Sequence, residues 1–138
     1  MVSVAIPRNA LAHLGGFASR RELLALGCSP EHIDLSVWYR NILPTRKGWY
    51  AAKGTAPLIL RALRVGGRLA CVSALAWYDG REVAREEPVH VVVPYGASRL
   101  SREGAVVHWS RRPLAGTRLV VDEDVARWQA ASCREASR

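Results

Sequence analysis

The chain has 138 residues, 49% of them apolar and 23% charged, so it holds enough apolar surface for a core and is too short for a barrel or a doubly wound enzyme. Twenty Lys+Arg against twelve Asp+Glu give a formal charge of +8 and a pI near 10.3, which makes a polyanion the first partner to consider, because clustered cations bind phosphate through counterion release. Cys28, Cys71 and Cys133 are odd in number and contain no CxxC pair, so neither a disulfide framework nor a zinc finger is expected, and a reducing cytoplasm fits. The opening MVSVAIPRNALAHLGG is only weakly apolar and breaks at Pro7, Arg8 and Asn9, unlike a signal peptide. No window approaches the roughly 20 apolar residues that span a bilayer, so no membrane partner is expected.

In chain order, Pro7 suits a first helical position, and Gly15-Gly16 stop a short helix over about Pro7–Leu14. Ser19-Arg20-Arg21-Glu22 is an S-x-x-E capping box, and a second helix runs from it to Leu26, with Leu23, Leu24 and Leu26 facing a core and Gly27 as the left-handed stop. Only Cys28-Ser29 separate that glycine from Pro30, where Ser29-Pro30-Glu31 again combine an N-cap, a first-turn proline and a first-turn acid. The third helix therefore starts at once, carries Ile33 and Val37 on one face, and ends near Asn41. Residues 42–51 place two apolar arms around the basic, glycine-containing tip Arg46-Lys47-Gly48, as in a β-hairpin. Three helices, two of them joined by a tight glycine turn, followed by a basic hairpin, predict a winged helix-turn-helix over residues 1–54.

Past Gly54, Thr55-Ala56-Pro57 lead a helix closed by Gly66-Gly67, and another short helix spans about Cys71–Tyr78 before Asp79-Gly80. Val89–Val93 and Ala105–Trp109 are strand-like and are expected to pair as a short antiparallel hairpin. Leu119-Val120-Val121 offer a third strand, and Glu123–Ala136 a last helix. Residues 55–138 are thus a small α+β unit, and the fold class is α+β.

Gly15-Gly16-Phe17-Ala18-Ser19-Arg20-Arg21-Glu22-Leu23-Leu24-Ala25-Leu26-Gly27 with Cys28-Ser29, then Arg46-Lys47-Gly48-Trp49-Tyr50, resemble the N-terminal winged helix of the AbiEi-family antitoxins of type IV toxin–antitoxin systems. The same N-terminal region occurs in actinobacterial proteins that add a very-short-patch-repair-like endonuclease domain. Gly66-Gly67, Val72–Gly80, Val89-His90-Val91 and Val107–Arg112 extend the resemblance to roughly residues 13–113. It departs from the family at Ala74, where a histidine is usual, and at Asn41, where a glycine is usual, and the family's C-terminal domain has no counterpart in these residues. The resemblance implies a repressor of its own operon, with a nucleotidyltransferase-type toxin as a possible partner and an actinobacterial or phage setting.

In that arrangement the third helix, residues 30–41, enters the major groove. Ser29 at its N-cap can donate to a phosphate, and Glu31, His32, Leu35, Trp38 and Tyr39 are the candidates for base or sugar contact. Trp38 and Tyr39 could instead complete the core against the wing. Glu31 and Asp34 repel phosphates, so the cations come from neighbours: Arg20 and Arg21, Arg40, and Arg46 with Lys47 on a wing that also carries Thr45.

His13, His32, His90 and His108 stand at no ligand spacing to another His or Cys; His90 and His108 could sit on paired strands, where a polar or half-buried position is expected rather than a metal site, so no metal and no cofactor is expected. Asp122-Glu123-Asp124 lack the downstream lysine of a metal-dependent nuclease, since no lysine follows Lys53, and read as a helix N-terminal cluster favoured by the dipole. No catalytic residue and no enzyme are expected. Trp128 either anchors the last helix on the α+β core or belongs to a dimer surface. The expected function is a sequence-specific, cytoplasmic, nucleoid-associated transcriptional repressor binding double-stranded DNA, alone or as a dimer. The alternatives are a protein-interaction module and a non-catalytic remnant of a nuclease-fused protein.

Overall fold

The computed structural model describes residues 5–135. The expectations placed on residues 1–4 and on Ala136 lie outside this range. The chain forms two compact units, residues 1–56 and 57–138, and among the described residues it is a mixed α+β protein of six helices and two three-stranded sheets.

The first unit runs α1 (Pro7–His13), β1 (Phe17–Ser19), α2 (Arg20–Ala25), α3 (Pro30–Trp38), β2 (Ile42–Arg46) and β3 (Trp49–Ala52). Local chemistry sets most of these boundaries. At the start of α2 the capping box is complete: Glu22 donates its amide to Ser19 Oγ at 3.1 Å, and the Ser19 amide donates to Glu22 Oε1 at 3.0 Å. At its end Gly27 sits at φ +96°, where the amides of Gly27 and Cys28 reach back to the carbonyls of Leu24 and Leu23. This is a Schellman closure, and glycine adopts it without steric cost.

The third helix stops at Trp38, three residues short of Asn41. The amides of Arg40 and Asn41 turn back to Val37 and Ser36, the same closure, but with Arg40 itself at φ +58°. β1 has no counterpart in the expected elements. It pairs antiparallel with β3, which also pairs antiparallel with β2, in the order β1-β3-β2. Phe17 stacks on Trp49 at 4.9 Å. The core gathers Leu11, Leu23, Ile33, Ile42, Ala18, Cys28 and the ring of Tyr50, with Val37 packed against it. Of the three leucines expected to face the core only Leu23 is in it, while Leu24 in α2 and Leu26 just after it are each 40% exposed.

The second unit runs α4 (Pro57–Val65), β4 (Arg68–Leu69), α5 (Cys71–Asp79), β5 (Val89–Pro94), β6 (Ala105–Ser110) and α6 (Glu123–Ser132), with strand order β4-β5-β6. β4 and β5 are antiparallel, but β5 and β6 are parallel, with Val89 opposite Ala105 and Val93 opposite Trp109. The expected antiparallel hairpin is therefore corrected. A six-residue strand is about 20 Å long, and the connection from Tyr95 to Gly104 can span about 33 Å, enough to return to the starting edge. The unbroken run Val89–Val93 is buried along its whole length, the pattern of a strand covered on both faces.

Leu119–Val121 contribute no full strand. A single parallel bridge joins Val120 to Leu69, reinforced by the Leu69 amide to Leu119 and the Val121 amide to Leu69. Asp122 precedes α6, whose first-turn acids Glu123 and Asp124 both pair with Arg127. Trp128 is 67% exposed and does not anchor the helix; Ala126 and Gln129 are the buried residues on it. No described helix is long and apolar enough to cross a membrane.

Candidate nucleic-acid interface

The short link between α2 and α3 makes the two helices neighbours, and α3 buries Ile33 and Ser36 against the first unit's core. Its outward stripe is then dictated by helical spacing: Glu31, Asp34, Leu35 and Trp38 recur at three- and four-residue intervals and are all exposed. Trp38 is 80% exposed, Tyr39 68% and Leu35 53%, so neither aromatic completes the core. Ser29 is the N-cap and accepts the amide of His32 at 3.1 Å, which leaves its hydroxyl proton free to be donated elsewhere. Glu31 is exposed in the first turn, and His32 is half-buried.

The tip of the β2–β3 hairpin shares a shallow groove of about 500 Å³ with α3. Asp34 and Val37 line it from the helix, and Thr45, Arg46, Lys47 and Tyr50 from the hairpin. Thr45 Oγ1 donates to the Trp49 carbonyl at 3.4 Å, where a register shift between Pro44 and Arg46 bends the strand. The Arg20 amide holds the tip from the other side by donating to the Gly48 carbonyl at 2.8 Å.

The cations proposed from sequence are not equivalent. Arg21, Arg40 and Lys47 are exposed and Arg46 is half-buried, but Arg20 donates to Asp34 Oδ1 at 2.9 Å and to Tyr50 Oη at 3.3 Å. The Asp34 carboxylate, then the Tyr50 hydroxyl, hold the guanidinium more firmly protonated than usual. One acid of α3 is thus already neutralised by one of the expected clamps.

In the second unit, Arg68, Arg111 and Arg112 border a concavity of about 430 Å³ where β5 and β6 end. Arg68 donates to the carbonyls of Leu114 and Ala115, and Arg111 lies over the Tyr95 ring at 4.1 Å. Arg68 thereby braces the segment after β6.

Sequence reasoning missed a second constellation. Cys71, His90, His108 and Cys133 come from four different elements, yet their ligand-capable atoms all lie within 4.8 Å of one another. His90 Nδ1 is 3.3 Å from His108 Nε2, and Cys133 Sγ is 3.8 Å from each. Burial, reinforced by the neighbouring His108, pushes the His90 imidazole down to about 4, and burial also lowers His108. Burial pushes the Cys71 thiol up to about 12. The only linear signal is period-two alternation, which puts His90 and Val92 on one face of β5 and Val106 and His108 on the same face of β6.

The chain matches no known family model and no curated protein.

Proposed function

We propose that the first unit is a winged helix-turn-helix that binds double-stranded DNA, with α3 in the major groove and the β2–β3 tip on the backbone, and that the protein is a transcriptional repressor of its own gene. The observation that carries this reading is the groove that Asp34 and Val37 of α3 share with Thr45, Arg46 and Lys47 of the hairpin tip. A reading helix flanked by backbone cations is the physical requirement for sequence recognition, because phosphate contacts set register and base-edge contacts set specificity. Leu35, Trp38 and Tyr39 are exposed and supply apolar surface for a thymine methyl or a sugar.

The resemblance of residues 13–113 to AbiEi-family antitoxins supports the same reading and adds autoregulation to it. In this proposal Ser29, Glu31 and His32 sit at the groove end of α3, and Arg21, Arg40, Thr45, Arg46 and Lys47 line the phosphates.

Fluorescence anisotropy tests it, with the duplex upstream of the gene against a scrambled duplex at two salt concentrations. Preference for the native duplex that survives the higher salt is the expected result. Equal binding that fades with salt would reduce the charge to nonspecific attraction and move the search to a protein partner.

A further inference from the structure

We propose that Cys71, His90, His108 and Cys133 form a closed, four-ligand zinc site that staples the second unit together. The site is separate from the DNA reading and lies wholly within residues 57–138.

The geometry is close to what tetrahedral zinc requires. With Zn–N near 2.05 Å and Zn–S near 2.3 Å, the edges of the ligand tetrahedron are about 3.3 Å for N···N, about 3.6 Å for S···N and about 3.8 Å for S···S. The His90–His108 edge is 3.3 Å and both Cys133 edges are 3.8 Å, and no pair exceeds 4.8 Å. Movement of well under an ångström at the Cys133 sulfur, and about one at most elsewhere, closes the figure. The four convergent donors are two thiols and two imidazoles, the set of Zn²⁺ rather than of Mg²⁺ or Ca²⁺, with the Glu135 carboxylate at their edge, 3.9 Å from Cys133 Sγ. Four protein ligands leave no open position, which marks a structural rather than a catalytic centre.

The fold holds these donors from four directions. The parallel register sets His90 of β5 and His108 of β6 two residues apart on one face of the sheet. Cys71 opens α5, and Cys133 caps the end of α6. Cys71 adopts φ +53°, the left-handed region that a side chain rarely occupies, and the buried Gln129 side chain fixes that backbone by accepting the Cys71 amide at 2.9 Å. Ser73 Oγ accepts the His90 amide at 2.8 Å. Such outer contacts orient ligands before a metal arrives. Ligation takes neutral imidazoles and thiolates, so binding expels the two thiol protons to solvent and leaves two thiolates and two neutral histidines around the ion.

The test is metal analysis of the full chain expressed with zinc, followed by exchange to Co²⁺. A single zinc per chain is expected, and the cobalt form should show visible d–d absorption of a tetrahedral ion with a near-ultraviolet thiolate-to-cobalt band. Cys133→Ser should weaken zinc at least tenfold in a chelator competition, while Cys28→Ser, whose thiol belongs to the first unit's core, should leave it unchanged. Chelation should lower the melting temperature of the wild-type chain. Substoichiometric zinc with no cobalt spectrum would overturn the proposal even if Cys133→Ser fails to fold. So would mass spectrometry showing a Cys71–Cys133 disulfide in protein purified without added oxidant.

Discussion

Arg20, the first residue of α2, and Asp34, in the middle of α3, are joined by an ion pair at 2.9 Å, with Tyr50 Oη supporting the same guanidinium nitrogen at 3.3 Å. The pair sits on the face proposed for DNA, where the carboxylate would withhold a cation from the phosphates and place its own negative charge beside them. Asp34→Asn should therefore bind DNA several-fold more tightly at low salt. It should also steepen the dependence of log K on log salt by about 0.9, the increment of one added phosphate contact. Stability should move by less than about 1 kcal/mol, since the Asp34 side chain is largely exposed. An unchanged slope in an anisotropy titration would place Arg20 outside the interface.

Arg46 and Lys47 stand at the hairpin tip across the groove from α3. Replacing both with alanine should weaken binding to native and scrambled duplexes alike and reduce the salt slope by about two. A loss confined to the native duplex would mean that the tip reads bases instead.

Arg40 occupies a left-handed position, φ +58°, that glycine fills in the equivalent closure of α2. Arg40→Gly should relieve that backbone and raise stability by about 1 kcal/mol. It should also weaken DNA binding by the loss of one cation. Thermal unfolding and anisotropy on the same variant separate the two effects, and a variant that gains stability with full affinity would remove Arg40 from the clamp.

Gly67 packs where β4 begins. A Cβ there would lie 2.7 Å from the Val92 carbonyl oxygen and 2.9 Å from Val93 Cγ1, inside a buried strand. Gly67→Ala should destabilise the second unit by about 1–3 kcal/mol through overpacking, read as a drop in the denaturant midpoint.

Gln129 and Trp128 are adjacent on α6 with opposite roles. Gln129→Leu leaves the buried Cys71 amide without its acceptor and should cost about 1–3 kcal/mol. Trp128→Ala removes a side chain that is 67% exposed and should change stability by less than about 0.5 kcal/mol. Parallel urea titrations would show the contrast, and equal losses would contradict the packing of α6.

The elements whose ends are written in neighbouring residues could be read directly from sequence. Ser19 with Glu22, Ser29 with Pro30, and Gly27 each act within three or four residues, through bonds whose partners the sequence spacing alone specifies. The hairpin around Arg46-Lys47-Gly48 was legible for the same reason. The stop of α3 was not, because Arg40 takes the left-handed role without being a glycine.

Tertiary structure decided whatever depends on residues far apart in the chain. The three-residue β1 exists because β3 offers it an edge, and the parallel pairing of β5 with β6 follows from a ten-residue return that local signals cannot orient. The exposure of Trp38 and Trp128 was settled by what else filled each core, since an aromatic at helical spacing suits either side. Cys71, His90, His108 and Cys133 have no motif spacing, because a metal-ligating set drawn from four elements is defined only by where those elements meet. Sequence determined the local turns and caps; the fold alone determined the long-range convergence, because side chains separated by dozens of residues become neighbours only after the chain has packed.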